Sequence, residues 1–172
     1  MKMKMMRIAI GLLTLTLSLF VSAESVDKSN PYHMIKEVAD ITFKRFAQEQ
    51  DEIREQPNLL KNIVREELMP YIDYKYAAYK VLGSYLKKTT KAERNAFVPV
   101  FRDYLVTSYA QVFTLYKKQS VEFEPEKAID AKSKIIAVRT SILEPGRDPI
   151  DITFKVRKNK NNIKIIVFIK LP

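Results

Sequence analysis

The sequence predicts an α+β fold, helices first and an antiparallel sheet after them. Three observations carry this. From Pro31 to Tyr116 the apolar residues recur at three- and four-residue spacing, the period of a helix that buries one face. After Lys118 the period drops to two, the period of a strand. The apolar runs of this second half are joined by short turn clusters; hairpin-length connections pair successive strands antiparallel, so they build a meander whose apolar side packs on the helices.

The elements follow in order. Asn30-Pro31 is a helix start, a capping side chain followed by a proline where no N–H is needed. Met34, Val38, Ile41 and Phe46, with Ile35 and Phe43 beside them, give an amphipathic helix over about residues 31–50. Pro57 opens a second, short helix with Leu59, Leu60, Ile63, Val64 and Leu68 at helical spacing, and Pro70 stops it. Asp73 caps a third that runs through Tyr76, Ala77, Val81 and Leu82 to about Tyr85. Thr90 and Glu93 match a capping box. The long helix they start carries Phe97, Phe101, Leu105, Tyr109, Val112 and Tyr116 down one side, with Pro99 inside it as a bend. Val121 and Phe123 then form a short strand. Ile136, Val138, Thr140 and Ile142 alternate with Ala137, Arg139 and Ser141. Residues 145–149 (Pro-Gly-Arg-Asp-Pro) are a turn. Ile150, Ile152, Phe154 and Val156 alternate with polar residues in a strand buried on one face. Residues 158–162 turn again, and residues 163–169 are a last strand.

The N-terminus sets the compartment. Lys2, Lys4 and Arg7 precede an apolar run of 14 residues, Ile8 to Val21, and Val21-Ser22-Ala23 puts small residues where a signal peptidase cuts. The run is shorter than the roughly 20 residues of a spanning helix. Residues 1–23 are therefore expected to be a cleaved secretion signal and residues 24–172 a single exported domain. Losing Lys2, Lys4 and Arg7 lowers the formal net charge from +10 to +7. A basic exported chain points to anionic membrane surfaces or acidic partners rather than to nucleic acid. With no cysteine the fold stands on packing alone, which suits a periplasm.

Little in the chain suggests catalysis. His33 is the one histidine and has no evident nucleophile or orienting partner. Cysteine–histidine metal sites are unavailable. Glu122, Glu124 and Glu126 read as a solvated strand face. There is no glycine-rich phosphate loop and no G-x-S-x-G. Arg157, Lys158, Lys160, Lys164 and Lys170, with Lys155, fit either lipid head groups or the lysine protection of a sheet edge.

The aromatics are more telling. Residues 71–116 hold 11 of the chain's 18. Eight of these are tyrosines, many for a dry core, because each hydroxyl wants a partner. The third helix also looks apolar on both faces. An apolar pocket between the helices and the sheet would use this surface; ordinary core packing is the competing reading.

Several spaced runs resemble one family. They are Asn30-Pro31-Tyr32; Phe43-Lys44-Arg45-Phe46; the stretch Glu67 to Ala78; Val81-Leu82-Gly83-Ser84-Tyr85; Ala92 to Phe97; and Phe101-Arg102-Asp103-Tyr104-Leu105 with Tyr109. In this order, over about residues 30–157, the chain is similar to the periplasmic phospholipid-binding component of the Mla system, which maintains outer-membrane lipid asymmetry and is also called the toluene-tolerance family. The resemblance implies a soluble, monomeric carrier without cofactor, metal or covalent chemistry. Such a carrier encloses acyl tails between helices and sheet. It passes phospholipid between an outer-membrane lipoprotein–porin complex and an inner-membrane ABC transporter complex with a substrate-binding-domain ring. On that basis Tyr76, Leu82, Tyr85, Phe101, Leu105 and Tyr109, with Val138, Ile152 and Phe154 from the sheet, are the expected lipid-binding residues. Gly83 is expected to permit a close approach, and Arg94 and Arg102 to pair structurally. The alternative is an exported protein-interaction domain with no lipid ligand. The chain departs from the family after Asn162: it has no tryptophan and lacks the family's Trp strand and Gly-Val-Ser run. That departure implies a domain incomplete at its C-terminus.

Overall fold

The computed structural model describes residues 26–114, 119–130, 132–159 and 162–167. The segment read as a secretion signal lies outside them, as do Tyr116, Lys160 and residues 168–172 with Lys170.

The first helix, α1 (Pro31–Gln48), begins as its sequence requires. The Asn30 side chain accepts from the backbone N–H of Tyr32 at 2.8 Å and of His33 at 3.4 Å. Met34, Ile35, Val38, Thr42 and Phe46 are buried along it, whereas Ile41 is 38% exposed. At its far end Arg45 donates to Glu49 (2.7 Å), Glu66 (2.6 Å) and Glu67 (2.7 Å), tying α1 to the turn that follows α3. A helix the apolar pattern did not signal, α2 (Gln50–Glu55), has no buried residue. Its strong helix formers and the Asp51–Arg54 pair at 2.9 Å hold it locally.

The predicted helix between Pro57 and Pro70 is three pieces: α3 (Leu59–Ile63), a π turn over Val64–Leu68 and a 3₁₀ turn over Met69–Tyr71. The irregular winding still buries Leu60, Ile63, Val64 and Met69 on one side. Pro70, without an N–H, ends the regular ladder. The chain then reaches the sheet: Ile72 bridges Ile165 in parallel, and the Asp73 N–H donates to the Ile165 carbonyl at 2.9 Å.

Asp73 also caps α4 (Tyr74–Leu82) by accepting from Tyr76 N–H at 3.2 Å. The helix stops at Gly83, short of the expected Tyr85, and a 3₁₀ turn covers Gly83–Lys87. Gly83 has φ +52°, a conformation that side-chain-bearing residues resist. Nothing lies within 4 Å of where its Cβ would be, so the glycine serves backbone shape and not the close approach expected of it. The capping box is present at the start of α5 (Lys91–Thr114): Thr90 N–H donates to Glu93 at 2.7 Å and Glu93 N–H to the Thr90 hydroxyl at 3.2 Å. Pro99 sits inside α5.

Strands β1 (Ser120–Phe123), β2 (Ile135–Leu143), β3 (Ile150–Asn159) and β4 (Asn162–Val167) form one antiparallel sheet in the order β1-β2-β3-β4. The register pairs Phe123 with Thr140, Thr140 with Ile152, and Val138 with Phe154. Their shared face meets the helices, and Val138, Val156, Ile163 and Ile165 pack with Met34, Ile63, Val64 and Val106 in one core. Ile150, at the entry of β3, is 45% exposed. Glu124 departs from the solvated strand face expected of it. It lies just past β1, where its carboxylate accepts from the Arg139 N–H at 2.8 Å and pairs with Lys127.

Candidate functional site

An apolar cavity of about 120 Å³ lies between α1, the end of α5 and the sheet. The helical wall comes from Ile35, Val38, Ala39, Thr42 and Phe43 of α1, and Tyr109, Val112 and Phe113 of α5, with Leu68 between them. The sheet wall is Val121 and Phe123 of β1, Thr140 and Ile142 of β2, Ile152 and Phe154 of β3, and Ile165 of β4. The strand period of two aims all seven at the helices.

Among the described residues no charged side chain lines this space, and three hydroxyls do. Thr42 donates to the Val38 carbonyl at 2.6 Å and Thr140 to the Ile152 carbonyl at 3.5 Å. Both threonines thus spend their polar atom on backbone. Tyr109 is 7% exposed, and burial pushes its phenol well above the ordinary tyrosine range. The wall described is thus one that suits hydrocarbon, and among the described residues no carboxylate, histidine or lysine lines it. Among the described residues no group of three or more His, Cys, Asp or Glu could hold a metal ion.

Three rings cluster beside the cavity, with Phe43 and Phe113 on its wall and Phe46 on the far side. Phe113 stands 5.9 Å from Phe43 and 4.7 Å from Phe46, and Phe43 and Phe46 are 6.1 Å apart, two of the three pairs edge-to-face. Behind them is a second, outer pocket of about 260 Å³ between α2, Pro57, Leu60 and the end of α5. Phe113 borders both spaces.

Of the residues expected to bind lipid, Tyr109, Ile152 and Phe154 line the cavity. Val138 is fully buried in the core beside it. Leu105 packs half-buried against that core, and Leu82 is half-buried on α4. Tyr76 lies under two cations, with the Arg157 guanidinium 4.3 Å and the Lys80 ammonium 5.5 Å from its ring. Tyr85 is 66% exposed beneath Lys88. Phe101 lies between Phe97 (5.7 Å) and Tyr104 (6.2 Å) in an aromatic row along α5, and Tyr104 itself is 64% exposed. Arg94 donates to the Leu86 and Thr89 carbonyls, and Arg102 stacks on Tyr74. His33 lies 3.3 Å from Glu126, outside the cavity. The α1 wall was missed. Its signal was there: Ile35, Ala39, Phe43 and Phe46 widen the apolar arc of α1 beyond the roughly 100° needed to face one neighbour.

Residues 36–168 match the family described as MlaC protein. The chain is 35% identical over 153 residues to the intermembrane phospholipid transport system binding protein MlaC of Haemophilus influenzae, an alignment spanning 88% of this chain and 71% of that protein. Its backbone superposes with a TM-score of 0.71 on the phospholipid-binding protein of Ralstonia solanacearum, solved in complex with a phospholipid, at 19% identity and over 83% of this chain and 79% of that one. At that identity the likeness is one of fold. The matched span and the identity to the Haemophilus protein identify the family, and the chain belongs to the MlaC proteins.

Proposed function

We propose that this protein is a soluble periplasmic phospholipid carrier that moves lipid between inner- and outer-membrane complexes and so maintains outer-membrane lipid asymmetry. The observation that carries the reading is the apolar cavity held between helices and sheet, in a chain whose relative is named for intermembrane phospholipid transport. The chemistry asked of the site is binding and release alone.

The physics of such cargo fixes how it is handed over. Each buried methylene contributes about 0.8 kcal/mol relative to water, so a two-tailed lipid does not escape through solvent at a useful rate. Transfer takes place in a docked complex, where tails pass from one apolar wall to another. An ABC transporter complex with a substrate-binding-domain ring on the inner membrane and a lipoprotein–porin complex on the outer one are the partners we assign, and the basic surface favours docking on acidic ones.

Native mass spectrometry of the chain from a detergent-free periplasmic preparation tests this. A bound mass equal to a diacyl phospholipid that survives desalting is the expected result. A folded monomer carrying no lipid sinks the carrier reading and leaves an exported interaction domain in its place.

A further inference from the structure

The basic residues of the sheet gather on the side turned away from the cavity. The strand period of two puts Arg139 of β2, Lys155 and Arg157 of β3 and Lys164 of β4 opposite in direction to Val138, Phe154, Val156 and Ile165. The register makes these four neighbours. Arg157 stands directly across from Lys164, Lys155 across from Ala137, and Arg139 diagonal to Lys155. Arg139 and Lys155 are exposed, and Ile135, across from Arg157, is 48% exposed between them. The acids of the same face lie at its other end, where Glu122 is paired with Ser141 and Ser141 with Asp151. At the basic end Asp73 accepts from Arg157 at 3.2 Å, and Glu124 accepts from the Arg139 N–H while pairing with Lys127.

Edge protection does not account for this cluster, because β2 and β3 are inner strands and guard no edge. Like charges directly across a sheet repel, so Arg157 and Lys164 both gain from an anion laid over them. Lysine is depleted from protein–protein interfaces, which bury and pair their side chains. An anionic bilayer asks only that cations be held near a plane, and an open sheet face supplies that. We propose that the outer face of β2, β3 and β4 docks on an anionic phospholipid bilayer, with Arg139, Lys155, Arg157 and Lys164 against the head groups. This adds to the carrier reading a direct contact with the membrane and makes no use of the cavity.

Vesicle flotation tests it, with phosphatidylcholine vesicles that do or do not contain phosphatidylglycerol. The full chain is expected to float with the anionic vesicles only, and to be released at molar salt, where screening acts within about 3 Å. Arg139→Gln with Lys155→Gln should weaken that binding about twenty-five-fold, roughly fivefold for each cation removed. Lys36→Gln with Lys91→Gln removes the same charge from exposed positions on α1 and α5 and should leave binding within twofold. A second reading needs no variant. On nanodiscs of the same anionic composition with spin-labelled head groups, the amide resonances of Ala137 and Lys155 should broaden most. Equal flotation with neutral and anionic vesicles overturns the proposal, and so does an equal loss from the two double variants, which would make binding a matter of net charge. Broadening centred on Val100 and Tyr104, 66% and 64% exposed on α5, overturns it by moving the contact to the aromatic row. A chain that floats with neither vesicle overturns it too and leaves an acidic protein as the occupant of this face. Protein stripped of lipid should float as the loaded protein does, so loss of the carrier reading leaves this contact standing.

Discussion

Single residues decide how the cavity wall behaves. Ala39 leaves room on the α1 side because it carries no side chain beyond Cβ, and its neighbours Ile35, Val38 and Phe43 frame the gap. Ala39→Phe places a ring where a tail would lie. Phospholipid co-purification should be lost while unfolding free energy changes by no more than about 1–3 kcal/mol, the usual cost of added bulk; native mass spectrometry with a thermal melt reads both. Glu124 works at the sheet. Burial alone would raise its carboxyl, but the Lys127 ammonium and the Arg139 N–H outweigh burial and hold it below the ordinary glutamate range. A lowered folded value means the contribution is complete above the unfolded value and fades as pH falls through the folded one. Acidification should therefore loosen the start of the β1–β2 connection, with the Arg139 amide resonance titrating below the range of a free glutamate. Glu124→Gln should abolish that titration and cost about 1.5 kcal/mol.

At the scale of elements, the joint between helices and sheet rests on Asp73. Its backbone N–H pairs with β4, one carboxylate oxygen caps α4, and the other accepts from Arg157 at 3.2 Å. Asp73→Ala keeps the first and removes the other two. The expected loss is about 2 kcal/mol, together with faster amide exchange at Tyr76 and Ala77; unchanged exchange there would mean the cap is dispensable. Helix starts were legible because their signals are local: Asn30-Pro31, Asp73 and the Thr90–Glu93 box each specify their own hydrogen bonds. The strands were legible because a period of two survives any packing. The π turn after Ile63 was not, since Val64 to Leu68 continues a helical spacing and only tertiary contacts wind it differently. Only part of the site was legible, for a geometric reason. Residues four apart on a helix advance by about 40°, so a line from Phe97 through Phe101 and Leu105 to Tyr109 rotates about a third of a turn. Its far end faces the cavity, and its near end joins the ring row of Phe101 and Tyr104.

For the whole molecule, volume is the governing quantity. Ligand pockets run from about 300 to 1,000 Å³, and the inner cavity measures about 120 Å³. A diacyl lipid therefore requires space from elsewhere. The nearest is the outer pocket of about 260 Å³, separated from the cavity by the Phe113 ring. Because packed interiors switch between discrete arrangements rather than deform continuously, a turn of one ring is a cheaper way to gain room than parting the core at Val138 and Val64, both fully buried. Phe113→Ala removes the ring permanently. In lipid-free protein this should cost about 3–5 kcal/mol, the loss of a packed phenylalanine and the void it leaves. Lipid-loaded protein should recover much of that, because tail methylenes refill the void, so the rise in melting temperature on loading should be larger in the variant than in the parent. An equal rise in both would show that the lipid never reaches the ring, and that the cavity gains its volume by moving the helices off the sheet instead.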